Sequence, residues 1–212
     1  MQEIDFYFDF LSPYSYLAWT WVRDNIDRYH FTLIPCPLGS LIRHYETKGP
    51  AEIPPKRNYL FKNCLRYASL NGIKFQPPKN LPFNSLYALR MSLKKNCGKE
   101  QFKVIDCLFR LGWEGGEDLG NEIVIVEGLN RLGIDGLKLL ELVGTRETRE
   151  ELKRNVSMAL SNGVFGVPTF MVKGEMFWGN DSIGHLELFL NGQDPLDRGQ
   201  FEDFEKRCFT VF

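Results

Sequence analysis

The junction near the start of the chain constrains the fold more than any other feature. Over residues 4–10 apolar side chains recur at every second position, Ile4, Phe6, Phe8 and Phe10, with Asp5, Tyr7 and Asp9 between them. Period two over seven residues marks a β-strand. Only Leu11 separates this strand from Ser12-Pro13. Serine supplies the oxygen that caps a helix N-terminus, and proline at the first helical position gives up only an N–H that lacks a partner there anyway. The helix that follows is predicted to carry Leu17, Trp21 and Val22 inward and to stop near His30. A second strand, Phe31-Thr32-Leu33-Ile34, is closed by Pro35-Cys36-Pro37. Two strands joined by a helix pair in parallel through a right-handed crossover, so the chain opens as β-α-β.

From about residue 54 to residue 162 the period changes to that of helices. Helices are predicted over 56–71, 84–95, 100–110, 121–132, 135–142 and 147–161. The last carries the charge run Arg146-Glu147-Thr148-Arg149-Glu150-Glu151-Leu152-Lys153-Arg154, which reads as a solvated face with i,i+4 pairs. Strand character returns after Gly163: segments 165–172 and 176–178 flank Lys173-Gly174-Glu175 as a hairpin. A final helix follows with Asn180 or Asp181 as its cap, and beyond Gly192 comes a polar tail whose last aromatic residues are candidates to dock back. The order β-α-β, helices, β-hairpin, α predicts an α/β, thioredoxin-like fold with a large all-helical insertion. Residues 1–53 and 163–192 would form the thioredoxin-like domain, 54–162 the insertion and 193–212 the tail.

Composition removes whole classes of function. With 26 Lys and Arg against 27 Asp and Glu among 212 residues, the net charge is −1, so no global field attracts phosphate backbones or anionic lipid. Nucleic acid and membrane are not expected partners. No stretch approaches the roughly 18 apolar residues that span a bilayer, and Met1-Gln2-Glu3-Ile4-Asp5 is acidic where a signal peptide is basic, which predicts a cytoplasmic protein. The five cysteines, Cys36, Cys64, Cys97, Cys107 and Cys208, are odd in number with no pair at Cys-x-x-Cys spacing. They are expected to be reduced and packed as small hydrophobes. His30, His44 and His185 stand apart from one another, and no metal is expected.

Chemistry is expected where the first helix begins. Its free N–H groups and dipole favour an anion without any basic side chain. Redox proteins of this topology place Cys-x-x-Cys there, because the helix end lowers a thiol pKa. Here the four positions read Ser12-Pro13-Tyr14-Ser15. Disulfide exchange by the protein's own sulfurs is therefore excluded at this point, and a hydroxyl beside an electropositive helix end suits a thiolate or carboxylate brought by a ligand. Ser12 as a mere helix cap remains an alternative. Gly166-Val167-Pro168-Thr169 offers an X-Pro bond at a strand start, a candidate for the cis form. Trp178-Gly179-Asn180-Asp181 is a polar turn that a simple cap would also explain.

Taken together, residues 5–18, the Phe165-Gly166-Val167-Pro168-Thr169-Phe170 segment and Trp178-Gly179-Asn180-Asp181 resemble the 2-hydroxychromene-2-carboxylate isomerases, relatives of the kappa-class glutathione transferases. The resemblance runs from Ile4 to about Leu190. It implies glutathione as cofactor, Ser12 as the catalytic serine at its sulfur, and Val167 beside Pro168 pairing with its cysteinyl backbone. Trp178 and Gly179 would lead to Asn180 and Asp181, which hold the γ-glutamyl end. Lys56 matches a lysine near a glutathione carboxylate, although alone it reads as an exposed helix-start residue. Arg43 falls about where the family has a basic residue near the acid substrate. Phe83 is a candidate wall for the aromatic substrate or plain core. The kappa-class pattern has an asparagine before the lysine, whereas here the loop reads Glu46-Thr47-Lys48-Gly49-Pro50.

The resemblance further implies an isomerase acting on an aromatic oxo-acid, interconverting 2-hydroxychromene-2-carboxylate and trans-o-hydroxybenzylidenepyruvate, and a homodimer. The alternatives are a kappa-like glutathione transferase or peroxidase acting on other electrophiles, and a non-catalytic thioredoxin-like peptide binder that kept only the proline edge.

Overall fold

The computed structural model describes residues 1–208. Strand β1 (Glu3–Phe8) pairs in parallel with β2 (His30–Pro35) through helix α1 (Pro13–Asp24). Ser12 caps α1 as expected: its side chain accepts from the Ser15 N–H. The helix ends at Asp24 rather than near His30. Asn25 takes over its last turn, donating its side-chain amide to the Trp21 carbonyl at 2.9 Å and its N–H to the Val22 carbonyl.

Helix α2 (Leu38–His44), which no sequence signal predicted, follows β2 directly. The helical stretch then comprises α3 (Pro54–Leu70), α4 (Leu86–Met91), α5 (Lys94–Cys97), α6 (Gln101–Trp113), α7 (Glu122–Asn130), α8 (Gly136–Val143) and α9 (Arg146–Ser161). The single helix expected over 84–95 is thus broken in two. The Gln101 side chain donates to the Ser92 carbonyl, the acceptor a continuous helix would give to Asn96. The charge run on α9 forms the expected i,i+4 pair, Arg146 with Glu150, and an i,i+3 pair, Arg154 with Glu151.

Strands β3 (Thr169–Val172) and β4 (Glu175–Trp178) form the expected hairpin, but its loop is two residues rather than three. Lys173 and Gly174 both have positive φ, 51° and 85°, the geometry that matches strand twist in a tight hairpin. A 3₁₀ turn over Asn180–Ser182 precedes α10 (Ile183–Leu190), so Ser182 rather than Asn180 or Asp181 stands at the helix cap. The tail contains a further helix, α11 (Arg198–Cys208). The docking expected of the last aromatic residues lies outside the described residues.

The sheet order is β2-β1-β3-β4, with β3 antiparallel to β1. This is the thioredoxin-like arrangement. Both faces of β1 are buried. Ile4, Phe6 and Phe8 pack with Trp19, Phe109 and Phe170, while Tyr7 joins Ile34, Leu41 and Ala159 on the other side. Phe6 and Phe170 lie 4.8 Å apart and Phe10 and Phe109 4.7 Å apart, within the range of favourable ring contacts. The first apolar cluster continues through Leu60, Val104, Trp113 and Leu152, so strands and inserted helices share one core. The outer edge of β2 is covered by side chains: Gln101 donates to the Leu33 carbonyl and Asn155 to the Pro35 carbonyl, each at 3.0 Å. Among the described residues no helix is long and apolar enough to cross a membrane.

Candidate active site

Ser12 sits at the end of β1 and the start of α1, 5% exposed. Its Oγ accepts from the Ser15 N–H at 3.2 Å and donates to the Val167 carbonyl at 3.4 Å. The second bond is long and therefore weak, so the hydroxyl can turn to another acceptor at little cost. Tyr14, in the first turn, has an N–H with no intrahelical acceptor. Ser15, at the position of the second cysteine in a Cys-x-x-Cys helix, is fully buried, and its Oγ has no hydrogen-bond partner.

The Val167–Pro168 bond is cis, as is Leu81–Pro82. The Ser12–Val167 contact sets the strand-start loop carrying Val167 against the start of α1. Thr169 Oγ1 donates to the Gly166 carbonyl at 2.7 Å and Gly179 N–H donates to the Pro168 carbonyl at 2.9 Å, which binds this loop to the one that follows β4. At Gly179, φ is 89° and ψ is 157°, a region open almost solely to glycine. A Cβ there would collide with Asp181 Oδ1. Glycine therefore lets the carboxylate fold back beside the main chain. Asn180 is buried, Asp181 exposed, and Asp181 lies within electrostatic reach of the Tyr14 hydroxyl. Trp178, 53% exposed, sets its indole over Gly166 and 5.0 Å from the ring of Phe165.

Helix α3 supplies the facing wall. Asn63 donates to the Tyr14 hydroxyl at 3.2 Å. Lys56, exposed in the first turn of α3, precedes Asn63 by seven residues and so shares its face, about 10 Å along the axis. The structure thus gathers Ser12, Val167, Pro168, Trp178, Gly179, Asn180 and Asp181 around one helix end, with Lys56 on the α3 face turned toward it. Arg43 is exposed on the last turn of α2, whose first turn is anchored near Ser12 through Asp9. Phe83 is 6% exposed and packs within the main core cluster. The loop before α3 spends its acid locally, Glu52 accepting from the Gly49 N–H at 2.6 Å.

Three residues at the site carried no assignment in sequence. Asn63 was findable, because a polar residue two turns after Lys56 falls on the same face. Asp9 was not. Its carboxylate accepts from the Leu11 and Leu38 N–H groups at 3.0 and 2.8 Å, joining the end of β1, the lead-in to α1 and the first turn of α2. Burial pushes its pKa up, opposed by those two hydrogen bonds and one from Ser85. Phe165, 45% exposed beside Trp178, required the hairpin register to be seen. Burial also pushes the thiols of Cys36, Cys64 and Cys97 up to about 12 and that of Cys107 to about 11, so these thiols are protonated at neutral pH. A cavity of about 600 Å³ lies toward the other end of α1, where Tyr16, Arg23, Arg110 and Glu114 line it. It includes none of the residues around Ser12, and its charged walls are already joined to one another by ion pairs.

Comparison with known proteins agrees with the fold. The chain is 26% identical to 2-hydroxychromene-2-carboxylate isomerase of Sphingobium xenophagum, over 89% of this chain and 98% of that protein. It is 27% identical to glutathione S-transferase kappa 2 of Caenorhabditis elegans, over 88% and 91%. Among solved structures, a 2-hydroxychromene-2-carboxylate isomerase superposes with a TM-score of 0.81 at 26% identity, over 89% of this chain and 94% of that one. The model of the DSBA-like thioredoxin domain matches residues 3–191. That span runs from the first strand through the last helix of the sheet domain, with the Ser12 junction, the cis-proline loop and the helical stretch all inside it, and the chain belongs to the DSBA-like thioredoxin domain family.

Proposed function

We propose that this protein is a glutathione-dependent isomerase interconverting 2-hydroxychromene-2-carboxylate and trans-o-hydroxybenzylidenepyruvate. The observation that carries this reading is the Ser12 hydroxyl, held at the N-terminus of α1 within reach of the Val167 carbonyl, with no sulfur at either Ser12 or Ser15. Such a site favours a ligand's thiolate and cannot itself exchange disulfides. Similarity to isomerases and kappa transferases along most of the chain supports the same class of chemistry.

The residues fit glutathione. The Val167 main chain beside Pro168 suits an extended peptide, Asp181 suits an α-ammonium, Lys56 suits a carboxylate, and the glycine-only bend at Gly179 lets Asp181 sit where it does. When bound, glutathione would supply the sulfur nucleophile that adds to the conjugated carbon, frees the bond to rotate and leaves again. Ser12 Oγ donates its hydrogen toward the sulfur, and the dipole of α1 adds to the preference for negative charge. Arg43 is assigned to the negative charge that develops on the substrate. The aromatic edge of Phe165 and Trp178 closes one side of the cleft.

The test is an ultraviolet difference titration of glutathione at pH 7. A saturable thiolate band is expected, reduced at least tenfold in Ser12→Ala. Absence of a band in the native protein would overturn the reading. With the band in hand, turnover of trans-o-hydroxybenzylidenepyruvate but not of a nitroaryl chloride identifies an isomerase, and the reverse result a kappa-like transferase.

A further inference from the structure

Helix α3 carries cations without a single acid, unlike the other long helices. Its 17 residues contain Lys56, Arg57, Lys62 and Arg66 and no acid. Two of these cations stand in its first turn, where the helix dipole disfavours them. On α6 and α9, by contrast, Arg110, Arg146 and Arg154 each have an acid three or four residues away and form an ion pair with it. With Arg43 and Lys48, the segment 43–66 holds six cations against Glu46 and Glu52, in a chain whose net charge is −1. All six are exposed, and none forms an ion pair among the described residues. Glu52 is held on the Gly49 N–H, and Asp181 faces the segment from across the cleft. A pattern that costs a helix stability on the wall of a binding cleft points to function rather than folding.

We infer that α3 is an electrostatic lure: its unpaired cations extend a positive field over the mouth of the Ser12 cleft and draw in small anions bearing carboxylates or a thiolate. This rests on the functional reading above for the identity of the cargo, glutathione and an aromatic acid, but not for the field. Lys62 and Arg66 lie about 9 and 15 Å along the helix from Lys56. Both flank Asn63, which bonds Tyr14 in the first turn of α1, so they stand along the cleft wall within about one to two screening lengths of its mouth at 0.1 M salt. Their contribution is to the rate of encounter, which such fields raise by about tenfold or more at low ionic strength.

The field is measured without glutathione through Trp178, whose indole is half exposed at the cleft while Trp19 and Trp113 are buried. In a Trp21→Phe background, quenching by iodide relative to caesium, each normalised to free indole, is expected to exceed unity about threefold at 20 mM ionic strength. It should fall toward unity in 0.5 M salt and drop by about half in Lys62→Gln/Arg66→Gln, with quenching by neutral acrylamide unchanged. A ratio near unity, or one indifferent to both substitutions and salt, overturns the lure. In a second arm, stopped-flow association of glutathione should slow about fivefold between 20 and 300 mM salt. The double variant should show a lower and flatter rate, with dissociation unchanged within twofold. Binding whose association rate ignores the substitutions also overturns it, whereas glutathione that does not bind at any salt, with the iodide preference intact, overturns the functional reading and leaves the field standing.

Discussion

Ser12 caps α1, and under the proposed function the same oxygen also serves the glutathione sulfur; substitutions separate the two roles. Removing the oxygen in Ser12→Ala costs the helix its cap, about 1 kcal/mol, and under the proposed function also removes the donor to the sulfur. Ser12→Asp restores an acceptor for the Ser15 N–H, so its melting temperature should exceed that of Ser12→Ala. Its carboxylate repels a thiolate, so kcat/KM should be lower still. If activity instead followed stability across the pair, Ser12 would be a cap and nothing more. A second residue-scale expectation concerns thiols. Burial holds Cys36, Cys64, Cys97 and Cys107 protonated, while Cys208 is exposed. Ellman's reagent at pH 7.5 should label one thiol quickly in the native protein, and Cys208→Ser should abolish that fast phase. Ser12 was legible in the sequence because cap chemistry and anion chemistry ask for the same residue at the same place. Asp9 was hidden for the opposite reason. Alternation assigns a residue to a face, and says nothing of a second layer, here α2 and α9, that buries that face as well.

At the scale of elements, local signals located most of the helices but not their joints. The helix stop at Asn25 is made by a side-chain amide on the carbonyl four residues back, and the break after Ser92 by the amide of Gln101, nine residues ahead on the next long helix. The turn at Gly179 is more transparent, since its backbone region excludes other residues. Gly179→Ala should destabilise the fold by about 1–3 kcal/mol. It should also weaken glutathione binding, because the new Cβ displaces Asp181; denaturant titration and the thiolate band report the two effects separately. Asp9 gives a pH signature for the β1–α2 joint. Its folded pKa is raised above the ordinary 3.8 by burial, so the folded state binds more protons than the unfolded one in the interval above 3.8. Its contribution therefore favours the fold at low pH and is lost as pH rises through the raised value. Asp9→Asn should remove that negative slope of stability against pH, measured by urea unfolding from pH 4 to 7.

For the whole molecule, the shared core has a thermodynamic consequence. Phe109, on α6, touches Phe8, Phe10, Tyr16 and Trp19, and the Trp113 indole donates to the Phe10 carbonyl at 2.8 Å. Helical and sheet segments bound in this way should unfold together. Phe109→Ala is expected to cost about 3–5 kcal/mol and to shift the near-ultraviolet and far-ultraviolet circular dichroism transitions by the same amount; two separated transitions would show instead that the helices fold on their own. The β-α-β, helices, hairpin order was readable from periodicity because strand and helix periods differ so sharply. The union of the parts was not, since it depends on rings that meet only in three dimensions. The two amides along β2 carry a last implication. Gln101 and Asn155 occupy the carbonyls that a neighbouring chain would need in order to line up beside that strand. The sheet is therefore stoppered on its long side, and a crowded solution of this protein is shielded from growing into fibres through it. Remove both amides, and the strand becomes a seam along which one molecule could stitch itself to the next.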